Sequence, residues 1–133
     1  ISNGRVEKWV EGSQFSKSNG ILCDGDRIIV GVCSDNAIRA VSIADRKITE
    51  IVKMGTGSGV IDGLRKYGSD FLVSHYEGIV YLLRKDGSFK EILNTAKEGV
   101  SCADFEFIET RNLLVIPTLK NNIVSLYKYQ DTK

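Results

Sequence analysis

A self-similarity of about forty-two residues constrains this chain more than any other feature of it. Asn19-Gly20-Ile21-Leu22, Asp62-Gly63-Leu64-Arg65 and Asp104-Phe105-Glu106-Phe107 recur at offsets of 43 and 42 residues. Behind them Ile28-Ile29-Val30, Phe71-Leu72-Val73 and Leu113-Leu114-Val115 recur. Then come Ile38-Arg39-Ala40-Val41, Ile79-Val80-Tyr81-Leu82 and Ile123-Val124-Ser125-Leu126. A fourth element appears as Lys47-Ile48-Thr49-Glu50-Ile51-Val52 and Ser88-Phe89-Lys90-Glu91-Ile92-Leu93, and earliest as Arg5-Val6-Glu7-Lys8-Trp9-Val10. A repeat of this length is one supersecondary unit that buries its apolar face only by stacking on its neighbours.

The elements are short and rich in Val, Ile, Leu and aromatics, and polar turn clusters such as Asp24-Gly25-Asp26 and Lys85-Asp86-Gly87 bound them. That is the signature of strands joined by tight hairpins. Each repeat therefore reads as four antiparallel strands, a to d from the inside out, which is the unit of a propeller blade. The predicted fold is all-β: a partial β-propeller over residues 1–133. It comprises a lone outer strand near 5–10, a blade near 20–53, a second near 63–94, and strands a to c of a third near 104–129. Residues 94–101 read as one helical turn at most. Three blades' worth of strands is half of a six-bladed ring, and propellers close with roughly four to eight blades. An isolated arc would leave two large apolar faces in water. The arc is thus expected to meet a second half-propeller, either its own N-terminal half or a second copy of itself.

Charge narrows the partners. Lys and Arg number 18 against 17 for Asp and Glu, a formal net charge of +1. Such a balance argues against electrostatic binding of nucleic acid or an anionic membrane. The apolar runs are too short for a membrane-spanning helix. No secretory signal is recognisable, but the chain opens without Met and in mid-pattern, so the compartment is left open. Cys23, Cys33 and Cys102 are odd in number and form no CxxC pair. They exclude a simple disulfide framework and a zinc knuckle, and read as small half-buried thiols.

The repeat also aligns Asn19, Asp62 and Asp104 just before strand a, which lines the channel of a propeller. Three oxygen-bearing side chains at one mouth could hold a hard cation such as calcium. A carboxylate there could also act as a general base. Asn-Gly and Asp-Gly equally serve as turn residues whatever the function, so both readings stand.

Here Ser18-Asn19-Gly20-Ile21-Leu22, Val60-Ile61-Asp62-Gly63-Leu64 and Phe71-Leu72-Val73-Ser74 resemble the gluconolactonase, regucalcin and senescence-marker-protein family. The resemblance covers nearly the whole chain, as that family's C-terminal half. It implies a six-bladed propeller with a divalent metal, usually calcium, in the central channel, and hydrolysis of lactones or related esters. On that resemblance Asn19 binds the metal, and Asp62 binds it and serves as the base. A Glu from the family's first blade has no counterpart here. His75-Tyr76 stands where many relatives carry an acidic residue and an aromatic, and the stretch Cys102-Ala103-Asp104-Phe105-Glu106 resembles a divergent branch.

Other features carry less. His75, the only histidine, falls on the predicted b–c loop and is a channel-lining candidate alongside Asp104. Gly55-Thr56-Gly57-Ser58-Gly59 lacks the Lys-Ser/Thr ending of a phosphate loop and reads as a link between blades. Asp24, Asp26 and the Asp35-Asn36 pair read as hairpin turns, and Ser74 has no evident triad partners. Trp9, with Tyr127 and Tyr129, reads as aromatic packing at the seam blade. Two functions follow: a metal-dependent hydrolase of a lactone or small ester, or a non-catalytic module binding a small ligand or a protein. The fold alone does not separate them.

Overall fold

A computed structural model describes residues 4–55 and 60–131 of the chain. Apart from Gly55, the predicted inter-blade link lies outside the described residues. The first sheet contains β1 (Ser18–Asp24), β2 (Arg27–Val32), β3 (Ala37–Ser42) and β4 (Ile48–Lys53). The second contains β5 (Ile61–Tyr67), β6 (Asp70–His75), β7 (Ile79–Leu83) and β8 (Phe89–Asn94). The third has three strands: β9 (Glu106–Ile108), β10 (Leu113–Thr118) and β11 (Ile123–Lys128). Every pairing is antiparallel between neighbours in sequence. The architecture is that of an all-β propeller arc whose sheets do not close into a ring. The helical turn expected near 94–101 is a 3-10 turn, Ala96–Glu98. No helix among the described residues is long and apolar enough to cross a membrane.

Strand alternation assigns each side chain to one of two sheet faces. On β2, Ile29 points toward the second sheet while Val30 and Val32 point away from it. Ile29, Ile38 and Ala40 of the first sheet meet Leu64, Phe71 and Val73 of the second. Leu72, Val80 and Leu82 of the second sheet meet Phe107, Leu114 and Ile116 of the third. Each side chain fully buried in this way contributes roughly 1.5–3 kcal/mol. Two interfaces of the same design therefore hold three sheets. Ion pairs reinforce them: Lys66 to Asp24, and Arg84 and Lys90 to Asp131.

The third repeat departs from the sequence alignment by one residue. Arg27 and Asp70 follow two-residue turns, in which Gly25 and Gly68 adopt positive φ. The third sheet instead turns through a 3-10 segment, Glu109–Arg111, ending on Asn112 at φ 51. The counterpart of Phe71 is consequently Leu114, not Leu113. A slip of one residue moves a strand's side chains to the opposite face, and only Leu114 points into the core.

Residues 5–10 correct a second expectation, because they form no strand. Trp9 and Val10, joined by Phe15, lie against the Val30, Val32 and Val41 face of the first sheet. A lone strand gains nothing without a paired edge, whereas the indole gains apolar burial on the valines. Arg46 stands 6.0 Å over the Trp9 ring. Tyr129 packs at the other end of the arc, 5.6 Å from Tyr67, so Trp9 and Tyr129 do not share a seam.

Candidate small-ligand site at the inner strand edge

The innermost strands β1, β5 and β9 run side by side, and glycine lets them approach. A Cβ on Gly20 would lie 2.5 Å from the Asp62 carbonyl oxygen. One on Gly63 would lie 2.8 Å from both Asp104 Oδ1 and the Phe105 ring. Asn19-Gly20 and Asp62-Gly63 are thus not hairpin turns. They lie within strands, at the points where the ladders β1–β2 and β5–β6 shift register. Such bulges re-aim side chains and leave a backbone group unpaired. At the second bulge Ser74 supplies the missing partner: its Oγ accepts from Gly63 N at 2.8 Å and donates to the Ala103 carbonyl at 2.7 Å. At the first, the position of Ser74 is taken by Gly31, and Ile61 Cγ2 lies 2.4 Å from where its Cβ would be.

The bulges bring Asn19 and Asp62 together. Asn19 Nδ2 donates to Asp62 Oδ1 at 3.1 Å. Burial pushes the Asp62 carboxyl above its ordinary range, the negative charge of Asp104 adds to this, and the Asn19 hydrogen bond opposes it. Asp104 is near but differently held. Its Oδ1 accepts from Phe105 N at 2.9 Å and lies 3.4 Å from an Arg65 guanidinium nitrogen, and its side chain is 66% exposed. Asp104 precedes β9 whereas Asp62 lies within β5 at its bulge, so the two carboxylates are held by different local structure. Arg65 also donates to Glu106 Oε2 at 3.1 Å and caps the Phe105 ring at 5.8 Å.

His75 departs from its expected loop. It is the last residue of β6, 4% exposed, on the second strand from the inner edge. Its ring meets Tyr81 at 5.0 Å and its Nε2 has no hydrogen-bond partner. Burial lowers its pKa against the pull of Glu77, so the imidazole is neutral near pH 7. The thiols are free. Burial pushes Cys102 up to about 12, which removes it as a nucleophile at neutral pH. Cys33 Sγ donates to the Ile61 carbonyl at 3.1 Å.

A hard cation takes roughly six to eight oxygen ligands. Asn19 and Asp62 offer adjacent oxygen donors, but Arg65 engages Asp104. Among the described residues no group of three or more His, Cys, Asp or Glu is placed to hold a metal ion. Sequence reasoning missed Arg65, whose acidic partners lie about forty residues away, and no local signal marks it.

No protein-family profile and no curated protein matches the sequence. Solved structures do match in fold. The computationally designed Ika4 protein superposes with a TM-score of 0.63 at 12% identity, over 85% of this chain and 66% of that one. Virginiamycin B lyase from Staphylococcus aureus gives 0.61 at 15%, over 90% of this chain and 43% of that one. The C-terminal WD40 domain of Sif2 gives 0.57 at 14%, over 84% and 34%. The neighbours include β-propellers, and this chain spans less than two-thirds of each. Identities this low establish the fold alone, and the resemblance to gluconolactonases stays at the level of its short motifs.

Proposed function

We propose that this chain is an arc of a β-propeller whose inner edge binds a small polar molecule, with Asp62 as the group that exchanges a proton with it. The observation that carries this reading is the Asn19–Asp62 pair, set side by side by two bulges, with the carboxyl raised by burial and by Asp104. A carboxyl shifted toward neutrality suits general acid–base work. Hydrolysis of a lactone or small ester is the reaction the motif resemblance favours. In it Asp62 takes a proton from the water that adds to the carbonyl carbon and gives it to the departing alkoxide oxygen as the ester C–O bond breaks, leaving a carboxylic acid and an alcohol, while the Asn19 amide holds Asp62 or the substrate oxygen in place. Calcium at this mouth would use Asn19 and Asp62 with donors from other blades, and no step here depends on it. Binding without chemistry is the second reading, favoured by the Arg65 clamp on Asp104.

The test is Asp62→Asn in the full chain, with lactone hydrolysis, calcium titration and unfolding measured together. The raised carboxyl makes ionised Asp62 a liability that appears as pH rises through its folded pKa, above the ordinary 3.8. The amide should therefore leave stability at pH 7 unchanged or higher, while turnover falls by about a hundredfold or more. Undiminished hydrolysis by the variant overturns Asp62 as the base. Ligand binding by a wild-type chain that never turns over selects the binding module.

A further inference from the structure

The two ends of the arc carry opposite halves of one interface. In the second sheet, Leu72 and Leu82 are paired across β6 and β7 and are fully buried against the third sheet. Their counterparts in the third sheet are Val115 and Leu126, paired across β10 and β11. Leu126 is 60% exposed, and Val124 beside it on the same face is 59% exposed. At the far end the reverse holds. Leu64 and Val73 of the second sheet are buried against the first. Their counterparts Ile21 and Val30 line an apolar groove of about 420 Å³ beside the Trp9–Phe15 segment, and Ile21 is 66% exposed.

We propose that the Val115–Leu126 face of one copy packs on the Ile21–Val30 face of a second copy, and that two such contacts close a ring of six sheets. Continuity identifies the occupant: each end face carries half of an interface that the chain already forms twice with itself, so a second copy carries its complement, and at the first sheet the Trp9–Phe15 segment occupies part of that face in the single chain. A head-to-tail contact repeated about a two-fold axis closes without leaving a free face, and six sheets fall within the roughly four to eight of known rings. This contact requires Trp9, Val10 and Phe15, which cover Val30, Val32 and Val41 in the single chain, to be displaced by the incoming face. Closure also brings a second set of inner strands to the mouth that carries Asn19 and Asp62. The inference stands on the sheet faces and not on what binds at that mouth.

Sedimentation of the 133-residue chain should show a particle of twice its 14.7 kDa mass. Leu126→Lys and Ile21→Lys alter side chains exposed in the single chain, so each variant should keep its β-sheet circular dichroism. Each should also weaken the dimer by about thirtyfold or more. Mixed in equal amounts, the two variants retain one intact contact and should associate more tightly than either does alone. A wild-type chain that is monomeric at about 100 µM, roughly a hundredfold above a micromolar Kd, overturns the proposal. So does a dimer that either variant leaves unchanged, or a mixture no tighter than its components.

Discussion

Replacing Gly20 with alanine tests whether the inner strands are held apart by a single hydrogen atom. The new Cβ would stand 2.5 Å from the Asp62 carbonyl oxygen, 3.1 Å from Leu64 Cγ and 3.3 Å from the Asp62 carbonyl carbon. Leu64 is fully buried in the core, and the carbonyl belongs to β5 and moves only with its strand. Overpacking of this kind costs roughly 1–3 kcal/mol, and a backbone obstacle places it near the upper end. Gly25→Ala is the control. Gly25 has φ 63 and nothing within 4 Å of its Cβ position, so only left-handed strain opposes the change, at about 1 kcal/mol. Gly20 is not in the left-handed region, so its cost is entirely steric. Urea unfolding of both variants gives the two values directly. A Gly20→Ala variant within 0.5 kcal/mol of wild type (roughly the error of the method), or no worse than Gly25→Ala, would show that the inner strands are not in tight contact.

Ser74→Ala should cost about 1–3 kcal/mol in the same assay, because it strands the buried Gly63 N–H and removes a donor from the Ala103 carbonyl. Cysteine at that position should not recover the loss. His75→Phe should flatten the acid limb of the stability profile. A buried histidine with lowered pKa binds protons more readily when unfolded, so wild-type stability falls as pH drops below 6.5 toward the folded value. Thermal unfolding at pH 7 and pH 5 checks this, and a drop of equal size in the variant refutes it.

Much of the fold was legible because blade faces are written in strand periodicity. Ile29, Leu72 and Val73 are fully buried in short, nearly continuous apolar runs covered on both faces, and the Asp-Gly and Tyr-Gly-Ser turns close hairpins as their chemistry dictates. The third repeat misled because a 3-10 turn adds length without adding apolar residues, and nothing in Glu109-Thr110-Arg111 announces which neighbouring leucine turns inward. Residues 5–10 alternate like a strand, yet their partner edge is a matter of tertiary structure that local pattern does not encode. At the candidate site the sequence singled out Asn19 and Asp62, and they prove adjacent. It did not reveal that their glycines serve strand approach instead of turns, nor that Arg65 would hold Asp104. Both facts depend on groups about forty residues apart in the chain.

The unequal filling of the two bulges gives the repeats an address. Gly31 accepts the hydrocarbon of Ile61, whereas Ser74 offers a hydroxyl to Gly63 and Ala103. A first sheet put in the second sheet's place against the Ala103 side of the third would leave Ala103 without its donor and Gly31 without its isoleucine. Within the chain, blades that look interchangeable by pattern are therefore not interchangeable in position. A stack that skipped the second blade would carry an unfilled hole at Gly31 and an unmet carbonyl at Ala103.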